Sequence, residues 1–338
     1  APVVHTTFDV PVWHVPKDEC GGGSAWAAGL IHALHVSRLT AAVDALRRAD
    51  LLSALCQETA GDFSSVTLAQ LAAAEAQFDG AEARLSGAQA GTLAFPPLPN
   101  AEAAAAAVEA TLAGLRGAGV LAILRAKGDP DVAIARGVEL AAMGCRAMEV
   151  TLDSGDWKAV LSGLRAALPA GVLLGVGTVM DDTVAQIGLI RSLGGTFALS
   201  PIDPTGFLDE CHRHGVLAIP SAFTSNECWN LHRRGCRLIK LFHAGLLSPS
   251  VLKSMLDVSP LGAHLNILPS GGVSPANAAQ WWDAGAACVG MGSNLVGKDI
   301  SCAKGTAAFD AAVADWAAKG RGVAQALYAD VAKRFPAP

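Results

Sequence analysis

Charge is scarce in this chain. Of its 338 residues only 16% are Asp, Glu, Lys or Arg, the formal balance is −5, and the basic residues form no run. Nucleic acid needs a positive footprint, so it is excluded as a partner. Long apolar runs are missing too: although 51% of the residues are hydrophobic, no stretch nears the roughly 18 uninterrupted apolar residues of a membrane span. The cysteines at 20, 56, 145, 211, 228, 236, 288 and 302 show no metal-type spacing, and Cys211-His212 with His214 is too isolated for zinc. Reduced, mostly buried thiols and no metal are expected. Gly175-Val176-Gly177 lacks the later glycine of a dinucleotide fingerprint, so no cofactor is implied.

What is present is alternation. From about Gly119, short β-type runs alternate with stretches of helical length: Val120 to Leu124, Ala147 to Leu152, Leu173 to Val179, Thr196 to Ser200, Val216 to Pro220, Leu238 to Phe242, Leu265 to Leu268 and Ala287 to Met291. Strands joined by helical crossovers run parallel, and units of this number in roughly 200 residues predict an α/β fold, a (β/α)8 TIM barrel over residues 101–300. Asp129-Pro130, Asp203-Pro204 and Ser274-Pro275 read as helix starts, and Gly144, Gly194-Gly195, Gly215, Gly235 and Gly285 as helix ends. Asn100 caps a leading helix from Ala101 to Arg116.

Within that frame one residue stands out. Lys240 sits in the middle of the apolar run Leu238-Ile239-Lys240-Leu241-Phe242. Desolvation disfavours an ammonium, so a lysine there either snorkels to the strand end or offers a neutral amine for Schiff-base chemistry. Strand parity groups Lys240 with Leu238 and Phe242, and Glu149 with Ala147 and Thr151. If both faces point inward, an amine and a carboxylate meet inside one barrel, either as a catalytic pair or as a buried salt bridge. Thr178, Pro201 and Ser270 fall at neighbouring strand ends, where chemistry sits in such barrels.

Met148-Glu149-Val150-Thr151-Leu152, Gly175-Val176-Gly177-Thr178-Val179, Leu199-Ser200-Pro201, Ile239-Lys240-Leu241-Phe242 and Pro269-Ser270-Gly271-Gly272-Val273-Ser274-Pro275-Ala276-Asn277 occur in that order. Together they resemble the 2-keto-3-deoxy-6-phosphogluconate (KDPG) and 4-hydroxy-2-oxoglutarate (KHG) aldolase family, over about residues 103 to 298. The resemblance implies a metal-free class I aldolase, commonly a trimer, that cleaves a 2-keto-4-hydroxy acid to pyruvate and an aldehyde. It implies Lys240 as the imine-forming amine and Glu149 as the proton shuttle. It also implies substrate contacts from Arg125, Thr178, Pro201, Phe242 and Ser270. Gly271, Gly272 and Ser293 resemble the paired phosphate-binding loops of many barrels, a tight turn being the alternative.

The sequence departs from the family at two places. Asp153 follows Leu152 where the family carries an arginine for the anionic end of the substrate, leaving Arg125 as the remaining clamp. His243 follows Phe242 where proline is usual, either as a new acid or base or as a plain loop residue. The competing reading is therefore a barrel turned structural or assembly subunit.

The chain exceeds one minimal barrel. Residues 1–100 read as an extended arm, a Gly21-Gly22-Gly23-Ser24 hinge and a small helical module ending in a stiff Pro-rich link. Residues 301–338 read as amphipathic helices through Phe309, Val313, Trp316, Val323, Leu327, Tyr328 and Val331. The added helices and Trp281-Trp282 suggest a protein contact, within the chain or with a partner. The Ala-rich, Lys-poor composition and the extra N-terminal module suggest a plastid or other organelle, with the cytoplasm as alternative; the start at Ala1 suits removal of a targeting segment and a trimmed chain equally.

Overall fold

The computed structural model describes residues 100–336. The expected arm, hinge and helical module lie outside the described residues. Within them, helix α1 (Ala101–Ala118) leads into strand β1 (Val120–Leu124). There follow α2 (Pro130–Ala142), β2 (Ala147–Thr151), α3 (Trp157–Ala167) and β3 (Leu173–Gly177). A 3-10 turn at Asp181–Gln186 precedes α4 (Ile187–Ser192), β4 (Phe197–Leu199), α5 (Phe207–Arg213), β5 (Leu217–Ile219) and β6 (Ser221–Ala222). Then come α6 (Ser225–Arg233), β7 (Ile239–Phe242), α7 (Pro249–Asp257), α8 (Ser259–Gly262) and β8 (Ile267–Ser270). The chain ends in α9 (Ala278–Asp283), β9 (Val289–Met291), α10 (Ser293–Val296), α11 (Ala307–Asp315), a π-helical turn (Trp316–Gly320) and α12 (Arg321–Arg334).

The strands form one parallel sheet in the order β5-β4-β3-β2-β1-β9-β8-β7-β6. Only Pro220 separates β5 from β6, so the two sheet edges are halves of one strand. Pro220 has no N–H for the ladder, yet its carbonyl accepts from the Lys240 amide at 2.9 Å. The expected α/β barrel is thus present. Its fifth strand is broken at a proline, which turns the chain from pairing with β4 to pairing with β7.

Two apolar clusters follow from the alternation of strand side chains. One fills the barrel: Leu121, Ala147, Phe197, Leu199, Leu217, Ile219, Leu238, Leu268 and Cys288. Its lower end is closed by the face Val108, Leu112, Leu115 and Ala118 of α1. The other lies between sheet and helices, and includes Ala122, Leu124, Met148, Val150, Leu174 and Val176. The period of two therefore separates an inner core from an outer one, and burial of both sets drives closure.

The helix signals have mixed outcomes. Asn100 caps α1, accepting from the Ala103 amide at 2.7 Å, and Asp129 caps α2 with Pro130 in its first turn. Gly144, Gly194, Gly215, Gly235 and Gly285 all take positive φ. Asp203-Pro204 starts no helix: α5 begins behind Gly206, and Asp203 instead pairs with Arg234. Ser274-Pro275 likewise precedes a turn, and α9 begins behind Asn277. Trp281 and Trp282 are both buried within this chain, Trp282 donating to the Gly119 carbonyl at 2.9 Å and meeting Phe335 edge-on. Near the C-terminus Trp316, Leu327, Tyr328 and Val331 are buried, whereas Val313 and Val323 are exposed. Of the described cysteines, five are buried and Cys302 is half-buried; all are free thiols. Among the described residues, no helix is long and apolar enough to cross a membrane.

Candidate active site

A cavity of about 660 Å³ opens at the C-terminal ends of the strands. Arg125, Glu149, Thr178, Pro201, Lys240, Phe242, Ser270, Gly271, Gly272 and Ser293 all line it. These come from the ends of β1, β2, β3, β4, β7, β8 and β9, so the residues singled out in the sequence converge on one space.

β2 and β7 lie opposite each other in the closed ring, which aims Glu149 and Lys240 at the cavity from facing walls. Both are buried, Glu149 at 1% exposure and Lys240 at 6%. No nitrogen–oxygen distance within 4.0 Å joins them among the described residues, and Glu149 Oε2 is buried without a hydrogen-bond partner. Burial pushes the Lys240 ammonium below its ordinary range, against a smaller opposing pull from the Glu149 charge. Burial likewise pushes the Glu149 carboxyl above its ordinary range, with Lys240 and Arg125 opposing. Each group is therefore driven toward its neutral form. Lys240 Nζ also lies 4.4 Å from the centroid of the Phe242 ring.

The backbone around the pair is specialised. A Cβ at Gly177 would collide with the Glu149 carboxylate, so only glycine leaves that carboxylate its place. The next residue, Thr178, sits at φ 63, a conformation that β-branched residues rarely adopt. Gly271 and Gly272 also have positive φ, and a Cβ at Gly272 would meet the Gly245 backbone within 2.7 Å. The loops after β7 and β8 thus pack glycine on glycine at the cavity rim. His243, at φ 65, places its ring 4.1 Å from that of Phe242.

The rim after β1 and β2 holds Asp153, one of the two places where the sequence departs from the family it resembles. Asp153 forms an ion pair with Arg125 and lies 3.6 Å from Lys127. Burial alone would raise the Asp153 carboxyl, but hydrogen bonding from Thr151 and the Arg125 guanidinium outweigh it and hold the carboxyl low. Ser154 Oγ accepts the Ala126 amide at 2.9 Å and contacts Thr151 Oγ1 at 3.1 Å, locking the two loops together. Asp153 therefore engages the Arg125 guanidinium at the cavity rim.

Sequence reasoning overlooked the wall formed by Val296, Gly297, Lys298, Ile300, Ser301 and Cys302. It carries no motif.

The sequence profile of the KDPG and KHG aldolase family matches residues 112–309, more than half of the chain. The chain belongs to this family. It is 28% identical over 176 residues to a 2-dehydro-3-deoxy-6-phosphogalactonate aldolase of Escherichia coli strain K12, covering 52% of this chain and 83% of that protein. It is 31% identical over 177 residues to a probable 2-dehydro-3-deoxy-6-phosphogalactonate aldolase of Rhizobium meliloti strain 1021, covering 49% and 81%. Among solved structures, a native KDPGal structure superposes with a TM-score of 0.52 at 25% identity, over 63% of this chain and 96% of the other. Both of these sequence relatives are aldolases by name.

Proposed function

We propose that the protein is a class I aldolase that cleaves a 2-keto-4-hydroxy acid of the KDPG or KHG type to pyruvate and an aldehyde. The observation that carries this reading is the uncompensated pair inside the barrel. A buried lysine and a buried glutamate face one cavity, and neither is satisfied by the other. Such a pair is costly for stability, which favours a use for it.

In this reading the neutral Lys240 amine attacks the C2 ketone. Glu149 relays the protons by which the carbinolamine loses water to give a protonated imine. Glu149, as carboxylate, then takes the C4 hydroxyl proton; the C3–C4 bond breaks, its electron pair enters the imine, and the aldehyde departs. Protonation of the enamine at C3 and hydrolysis release pyruvate and regenerate the amine. Thr178 and Ser270 would hold the keto acid, Pro201 and Phe242 would shape the apolar wall, and the amides of Gly271, Gly272 and Ser293 would receive a phosphate. The family resemblance makes a trimer the assembly to test.

The test is borohydride reduction in the presence of pyruvate, followed by mass spectrometry. A pyruvate-derived mass at Lys240 and at no other lysine is expected. An unmodified Lys240, under conditions that label an established class I aldolase, would favour the competing reading of a barrel used as an assembly subunit.

A further inference from the structure

The wall from Val296 to Cys302 is tied down from outside the cavity. Arg136 on α2, 6% exposed, grips the Asp299 carboxylate with both terminal nitrogens at 2.8 and 3.2 Å and also donates to the Val296 carbonyl. Its guanidinium lies 3.6 Å from the centroid of the Trp316 ring, in the π-helical turn. Glu139 gathers the outer side, accepting from Arg136 Nε at 3.1 Å, Trp316 Nε1 at 3.0 Å and Arg321 Nε at 2.5 Å. Gly297 lies directly beneath, where a Cβ would come within 2.5 Å of the Arg136 guanidinium and 2.8 Å of the Asp299 carboxylate. Farther along, the Gly128 amide donates to the Ile300 carbonyl at 3.1 Å, and the Ser301 hydroxyl to the Arg125 carbonyl at 2.6 Å.

An ion pair this deeply buried is a poor way to gain stability, but it fixes geometry when all of its hydrogen bonds are met. What it fixes here is the two-residue step Gly297-Lys298 between its anchor points Val296 and Asp299. Lys298 follows Gly297 and precedes Asp299, lines the cavity, and makes no ion pair or side-chain hydrogen bond among the described residues. The other flexible cation at the rim, Arg125, is occupied by Asp153. An incoming anion therefore meets one uncommitted positive charge from the described residues on this wall. Gly271, Gly272 and Ser293 line the same cavity.

Building on the aldolase reading, we propose that Lys298 is a specificity-determining residue that engages a phosphomonoester at the far end of the substrate, and that the buried Arg136–Asp299 pair positions it. The C-terminal turn carrying Trp316 thereby becomes part of the binding apparatus, because it covers the outer face of Arg136.

Equilibrium titration of the full chain with glycerol 3-phosphate, with glycerol as the neutral control, tests the assignment without requiring turnover. Glycerol 3-phosphate should bind, and Lys298→Met should weaken it about tenfold, with recovery in Lys298→Arg. Arg136→Met should weaken the same ligand while leaving borohydride trapping of pyruvate at Lys240 intact, and Arg136→Lys should recover part of the loss. Absence of binding by the wild type, an unchanged Kd in Lys298→Met, or binding of glycerol as tight as its phosphate would overturn the role of Lys298. Equal loss of phosphate binding and pyruvate trapping in both Arg136 variants would show a general structural role instead. If trapping fails already in the wild type, the aldolase reading falls, while the Kd values still decide the phosphate contact.

Discussion

At the residue scale, Lys240 and Glu149 are poised by burial rather than by each other. Removing the Glu149 charge removes the influence that favours the ammonium. In Glu149→Gln the pH profile of pyruvate trapping should therefore shift to lower pH, while turnover falls by about a hundredfold, the usual scale of a lost proton shuttle. Trapping and turnover measured across pH check both; an unmoved profile with wild-type turnover would make the carboxylate structural. The same burial has a stability sign. Unfolded Lys240 holds its proton below its ordinary pKa of 10.5, whereas the folded form has begun to lose it. Stability is thus lost as pH falls from that value through the depressed folded pKa. Lys240→Met should remove this dependence and raise Tm, the opposite of an ordinary core substitution. Asp153 gives a third test. Asp153→Asn keeps the shape but releases Arg125, so the Michaelis constant for an anionic keto acid should drop by about fivefold, a modest effect because both groups are partly exposed. An unchanged or higher value would mean that Arg125 does not reach the substrate.

At the element scale, strand alternation made the inner and outer faces legible. Leu238, Lys240 and Phe242 could be assigned together because the period is two, and that assignment brought the amine into the barrel. Strand ends were harder to read. Pro269 looks like a stop, yet β8 runs through it from Ile267 to Ser270, paired in register with β7. The fifth strand was legible as one run, but its break at Pro220 depends on which neighbour each half pairs with, information that lies in strands distant along the chain. Asp203 and Ser274 misled because a polar residue before proline opens turns as readily as helices. The Val296 to Cys302 wall was invisible because its partners, Arg136 and Trp316, lie far away in sequence. Gly177 links strand to chemistry. Gly177→Ala should leave the barrel folded, since the far end of a flexible side chain can yield, but it should move the Glu149 carboxylate. Turnover should drop by tenfold or more, with trapping of pyruvate at Lys240 retained; wild-type turnover would show that the carboxylate position is not critical.

At the scale of the whole molecule, the decisive feature is that the described barrel supplies its own floor. Helix α1 presents Val108, Leu112, Leu115 and Ala118 to the interior cluster, where Leu115 and Leu121 are fully buried. A core closed in this way does not need residues before Asn100 to exclude water from the barrel's lower end. A chain beginning at residue 100 should therefore unfold cooperatively and still form the imine at Lys240. A chain beginning at Gly119 should not, because losing α1 opens the interior to solvent and strips Leu121, Phe197, Leu217 and Leu268 of the side chains packed beneath them. Thermal unfolding and pyruvate trapping on both truncations separate the cases. Aggregation of the longer truncation would mean that the first 99 residues cover a barrel surface, and cooperative folding of the shorter one would mean that the strands close without their floor.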